Sequence, residues 1–199
     1  MEAVDIGTDI VVAQGTEAGG HGATRSTLAL VPAVVDAVRK RNDEIVVVAA
    51  GGIADGRGLA AALMLGAQGA LLGTRFLASD EALTSAAAKA KLVAARGDDT
   101  VRTRVFDIVR NLDWPALYTG RALQNAFSRQ WHGRDAELEK SLPAEAQHYT
   151  RAAEANDLDT AVVFAGECVD LIHDVKPAAA IVAALVHEAE AALRSNLSR

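Results

Sequence analysis

The segment Val11 to Gly22, VVAQGTEAGGHG, joins an apolar run to a glycine-rich loop that carries one histidine. The run that it closes, Asp9 to Ala13, is apolar at successive positions, so both of its faces need cover, which suits a parallel strand flanked by helices. The loop then stands at the C-terminal end of that strand. In α/β folds this is where ligands bind, because loops there vary without disturbing the sheet. Gly19 and Gly20 lack side chains, so the backbone can come close to a flat or anionic ligand. His21 follows at once and places an imidazole, a group that exchanges protons near neutrality, beside whatever binds. Read alone, it is more simply a surface loop histidine.

Working outward, Leu28, Leu30, Val31, Val34, Val35 and Val38 recur at helical spacing from Thr27, with Pro32 expected in the first turn and Asn42-Asp43 ending the helix. Glu44 to Ala50 is rich in β-branched residues and predicts a second buried strand. The loop Gly51 to Gly56 follows it, then a helix from about Arg57 to Leu65 that Gly66 terminates. Gly69 to Leu72 predicts a third strand with the loop Gly73-Thr74-Arg75-Phe76, and Asp80 to Ala95 a further helix. Three strand–helix units with short connections predict a parallel sheet. Backbone N–H groups of Gly52, Gly73 and Thr74, with the Thr74 hydroxyl, could ring a phosphate at a helix N-terminus, as the last two loops of a (β/α)8 barrel do. The alternative is that these glycines only make tight turns. Neither a P-loop nor a GxGxxG motif fits this stretch.

After Gly97 the texture changes. Thr100 to Gly133 reads as a loop-rich excursion holding Trp114-Pro115 and a short helix from about Gly120 to Gln130. Arg134 to Ala155 and Pro177 to Arg194 read as helices, the latter with an apolar face at Ile181, Leu185 and Ala189. The division is thus 1–97, a part of an α/β barrel, and 98–199, a loop-rich and helical region packed on it.

Of the 199 residues, half are hydrophobic, enough for one domain with a sizeable core rather than a disordered chain. The net charge of −6 argues against nucleic-acid binding, and Arg39-Lys40-Arg41 suits a solvated helix end. Cys168 is alone, which excludes an internal disulfide and suggests a buried thiol. No apolar run approaches membrane-spanning length and Met1-Glu2 does not open a basic, then apolar, leader, so the expected location is the cytoplasm without membrane association. His148, His173 and His187 have no metal-site spacing.

Three strings, QGTEAGGHG at 14–22, AAGGIADGRGLAAALMLGAQGALLGTRFL at 49–77 and RALQNAFSRQWHGR at 121–134, together resemble the nitronate monooxygenases, also called 2-nitropropane dioxygenases. The resemblance covers essentially the whole chain, with the motifs in the family's order. It implies an FMN-containing (β/α)8 barrel that oxidises alkyl nitronates with O2, the flavin carrying the redox chemistry. By the same resemblance, His21 is the base or nitronate-orienting residue. Gln14 contacts the flavin, and the backbone of Gly19, with Gly20 beside it, lies against the cofactor. Gly52 and the turn Leu71-Leu72-Gly73-Thr74 hold the phosphate and ribityl chain. Glu17 and Arg75 are expected as structural ion-pair members. His132 belongs to the third string, with packing beneath the barrel as its expected role.

Three strand–helix units fall short of the eight that such a barrel needs. Residues Met1 to Thr8 are too few for another unit, so the chain reads as the C-terminal part of such an enzyme: the last three β/α units plus a helical extension, with a homo-oligomer or a complementing N-terminal half as possible partner. An FMN-dependent enoyl reductase of fatty-acid synthesis, with a similar EAGGH-like loop, is the second reading. A catalytically silent fragment that needs another chain is the third.

Overall fold

A computed structural model describes residues 2–197. Met1 lies outside them, and the rest of the opening segment begins with one helical turn, α1 (Glu2–Asp5). The first strand, β1 (Ile10–Gln14), is where the apolar run places it, and it pairs in parallel with β3 (Val46–Ala50) in the register Ile10 to Val46 through Gln14 to Ala50. Between them lie a three-residue strand, β2 (Gly20–Gly22), and α2 (Thr27–Arg39). A nine-residue helix, α3 (Gly56–Met64), leads to β4 (Gly69–Leu71), which pairs in parallel with β3. Asp55 caps α3, its carboxylate accepting the N–H groups of Arg57 and Gly58, and Gly66 ends the segment at φ +94° as expected.

The resulting sheet has the order β1-β3-β4. One face is covered: Ala13, Val47 and Ala49 pack with Val31, Val35 and Val38 of α2 and with Ala62 of α3. The expectation that both faces are buried is corrected, because both helices lie on the same side. The opposite face leaves Ile10, Val12 and Leu71 exposed at 56, 43 and 51%. In α2, Leu28 is outside the buried stripe, and Pro32 stands beyond the first turn, where its missing N–H removes one bond of the helix ladder.

After β4 comes a single helical turn, α4 (Thr74–Leu77), and then α5 (Ala86–Ala94). The helix expected from Asp80 starts six residues later, because the Ser85 hydroxyl accepts the Ala88 N–H and caps the chain there.

The stretch 100–133 holds more order than its texture suggested. It contains β5 (Thr100–Thr103), α6 (Val105–Val109), β6 (Thr119–Leu123) and α7 (Ala126–Trp131). Gly120 to Leu123 is therefore strand rather than helix. The helix begins only after Asn125, whose side chain and that of Ser128 cap each other's backbone N–H groups. These strands were hidden because Thr-Val-Arg-Thr and Thr-Gly-Arg-Ala-Leu are short and carry arginine where a strand pattern leads one to expect apolar groups. β6 pairs antiparallel with β2 on one side and β5 on the other, in a second sheet of order β2-β6-β5.

The helix expected over 134–155 is divided at Ser141 into α8 (Asp135–Lys140) and α9 (Leu142–Glu154), with Pro143 in the first turn of the latter. Phe106, Phe127, Trp131, Leu138 and Tyr149 form one core there. The last helix, α10 (Ala178–Leu197), buries Ile181, Leu185 and Ala189 as its spacing predicts, and packs on α3, where the Glu188 carboxylate accepts the Gly56 N–H at 2.9 Å. Contacts cross residue 97: β2 pairs with β6, and Ala88 and Leu92 pack with Leu123, Ala165 and Val169.

Candidate active site

The C-terminal ends of β1, β3 and β4 and the edge of the second sheet enclose a cleft of about 260 Å³. Gln14, Gly19, Gly20, His21, Gly52, Leu71, Gly73 and Thr74 all line it. Leu72 is the exception, since it packs against the sheet-and-helix core. Strands alternate their side chains, so adjacent residues at the end of β4 part in this way.

The loop from Gly15 to Gly20 is held from three directions. Glu17 makes no ion pair among the described residues; its carboxylate accepts the Thr27 N–H at 2.9 Å and the Thr27 hydroxyl at 2.8 Å, a placement that the start of α2 favours electrostatically. The ion-pair role expected for it is thereby corrected, whereas Arg75 does pair with Asp174 at 2.7 Å. From the second sheet, the Nε groups of Arg102 and Arg121 donate to the Thr16 carbonyl at 3.1 and 2.9 Å. These arginines face each other across β5 and β6. Burial, and then the charge of Arg121, pull the Arg102 guanidinium below its ordinary pKa, while Glu167 pairs with Arg121 at 2.8 Å. From the third direction, a Cβ at Gly19 would come within 2.7 Å of the Ala165 carbonyl carbon, so only glycine fits between this loop and residues 165–166.

His21 occupies the middle of β2. Its Nε2 lies 2.9 Å from the Asp107 Oδ1, and its backbone carbonyl accepts the Gln14 side-chain amide at 2.5 Å. The Trp114 indole stacks on the imidazole with ring centroids 3.9 Å apart and planes within 5°, and Phe164 lies tilted at 5.7 Å. The imidazole is thus clamped, and the reading of His21 as a loose surface residue does not describe it.

Across the cleft, Gly51 and Gly52 take φ values of +101° and +74°, open to glycine with little strain, and turn the chain at the end of β3. Gly73 precedes α4, whose first N–H groups have no partner within the helix. The Thr74 hydroxyl oxygen is already engaged, accepting the Gly166 N–H at 2.9 Å, and the hydroxyl also bonds the Cys168 thiol. Cys168 is buried as expected, yet it lies in the cleft wall. Burial pushes its thiol up to about 11, so it stays protonated at neutral pH.

Sequence reading missed Asp107, Phe164, Gly166 and the place of Cys168 in the cleft. Trp114 stood out only as the opening of an irregular dipeptide. Asp107 is 86 residues from His21, inside a segment that reads as Val-Phe-Asp-Ile-Val, and no local signal connects the two. His132 is exposed at the end of α7, so the packing role expected for it is corrected. His148, His173 and His187 are exposed too, and among the described residues no three metal-ligating side chains converge.

A family model described as nitronate monooxygenase matches residues 1–188. The chain belongs to the nitronate monooxygenase family. It is 41% identical over 193 residues to a nitronate monooxygenase of Neurospora crassa, covering 92% of this chain and 49% of that one. Among solved structures, FabK of Thermotoga maritima superposes with a TM-score of 0.80 at 32% identity, covering 99% of this chain and 59% of that one. A nitroalkane oxidase of Streptomyces ansochromogenes gives 0.78 at 32% identity, covering 98% and 55%. The chain spans about half the length of the curated nitronate monooxygenases it matches. Among the described residues, no helix is long and apolar enough to cross a membrane.

Proposed function

We propose that this chain carries the FMN-phosphate and histidine half of a nitronate monooxygenase, which oxidises alkyl nitronates with O2. The observation that carries this is the convergence of two glycine turns and a clamped histidine on one cleft: Gly52 and the Gly73-Thr74 turn on one side, His21 on the other. The donors present fit FMN. Backbone N–H groups at the start of α4 and the small residues at the end of β3 suit a dianionic phosphate, and Ile53, Leu77 and Phe164 supply apolar wall for a flat ring system. When bound, FMN would supply the redox step between nitronate and O2.

The chain's own residues then have distinct tasks. Gly52, Leu71, Gly73 and Thr74 hold the phosphate end through backbone groups and the Thr74 hydroxyl, while Gln14, Gly19 and Gly20 form the wall beside His21. His21 orients the bound nitronate or, as a base, takes the α-proton of a neutral nitroalkane to form it, and the Trp114 and Phe164 rings shield the imidazole from water. O2 uptake with propyl nitronate tests this in the FMN-loaded protein. Uptake that falls in His21→Ala supports the reading, and uptake unchanged in that variant removes it. The likeness to FabK is consistent with the second reading, an FMN-dependent enoyl reductase. Oxidation of NAD(P)H by an enoyl thioester, without nitronate-dependent uptake, would select it.

A further inference from the structure

The imidazole of His21 has two ring nitrogens, and only Nε2 meets the carboxylate of Asp107. We infer that Asp107 is the positioning residue of this site: its carboxylate holds His21 as the Nε2–H tautomer and leaves Nδ1 as the nitrogen with a free lone pair. The inference deepens the proposed role of His21 and rests on that reading for its catalytic meaning only; the tautomer itself is a property of the chain alone.

An ionised carboxylate can only accept hydrogen bonds. With Nε2 and Oδ1 at 2.9 Å, the proton between them belongs on Nε2 of the neutral ring. Among the described residues Nδ1 has no hydrogen-bond partner. The contact is built rather than incidental. The Asp107 side chain is 6% exposed and the His21 side chain 14%, so water competes little for either. Asp107 is set by α6, whose Val105, Phe106 and Val109 are fixed in the aromatic core, so the carboxylate has a rigid base. The parallel Trp114 ring and the tilted Phe164 ring restrict rotation of the imidazole about its own axis. Flipping the ring about its Cβ–Cγ bond would put the carbon Cε1 where Nε2 stands and break the bond to Asp107. The clamp and the carboxylate therefore select one tautomer and one orientation together.

The test uses the flavin-free 199-residue chain labelled with ¹⁵N, with long-range proton–nitrogen correlation of the histidine rings at a pH where they are neutral. In the native chain, the expected pattern for His21 is a protonated, pyrrole-like Nε2 and an unprotonated, pyridine-like Nδ1, with widely separated shifts. In Asp107→Asn the side chain can donate as well as accept, and the two shifts should move towards an average of both tautomers. Asp107→Glu should restore the separation at least in part. A native pattern with the proton on Nδ1, or an averaged pattern, would overturn the inference without any variant having to fold. Because no flavin or nitronate enters the experiment, its failure is distinct from failure of the proposed activity.

Discussion

The Thr74 hydroxyl oxygen accepts the Gly166 N–H at 2.9 Å, joining the turn after β4 to a segment 92 residues away. Thr74 is buried, so this bond is shielded and its loss would leave a buried N–H without a partner. The turn after β4 and the far wall of the cleft are thereby one unit.

Thr74→Val keeps the shape of the side chain and removes the acceptor. The expected loss of stability is about 1–3 kcal/mol, read as a lower urea midpoint with unchanged slope. Thr74→Ser, which keeps the hydroxyl, should lose much less. Equal midpoints for native chain and Val variant would show that the bond does not hold these segments together.

Gly19 and Gly73 both line the cleft but differ in what surrounds them. A methyl group at Gly19 meets backbone atoms of residues 165 and 166 at 2.7 and 2.8 Å, whereas one at Gly73 meets nothing within 4 Å. Gly19→Ala should therefore destabilise the chain by about 1–3 kcal/mol, since backbone must move to admit it, while Gly73→Ala should stay within about 0.5 kcal/mol of the parent. Thermal unfolding of the two variants side by side checks the contrast, and equal effects would contradict it.

The Cys168 thiol ionises near 9 in an unfolded chain and, through burial, is pushed up to about 11 in the folded one. Between these values the unfolded state releases a proton that the folded state keeps. Stability from this group is therefore full below pH 9 and declines as pH rises to 11, by an amount on the order of 2 kcal/mol. Urea midpoints across that range should fall more steeply for the native chain than for Cys168→Ala. Alkylation of the native thiol at pH 8 should also be slow, and rapid labelling would mean that the thiol is neither buried nor raised.

The parallel half of the fold was legible because its strands are continuous apolar runs and its turns are marked by glycine, two signals that depend only on neighbours in sequence. The same property made the glycine loops visible as one site, and all of the residues chosen there except Leu72 line the cleft. The second sheet was not legible. Its strands depend on pairing between β2, β5 and β6, with as many as 100 residues between partners, and Arg102 and Arg121 have a purpose only once the Thr16 carbonyl is placed between them. Asp107 was invisible for the same reason, as a carboxylate in an apolar helix becomes intelligible only beside His21. The open face of the first sheet could not be read either, since a run of apolar residues looks alike whether one face is covered or two.

Flavin retention decides whether the cleft is what its residues make it. FMN is added to the purified chain, free flavin is removed by desalting, and the visible absorbance spectrum of the protein fraction is recorded. Retained FMN with a shifted flavin spectrum is the expected result, and it should persist in His21→Ala, which leaves the phosphate side intact. A protein fraction from which all FMN has washed away would contradict the assignment of Gly52, Gly73 and Thr74 as a flavin-phosphate site in this chain.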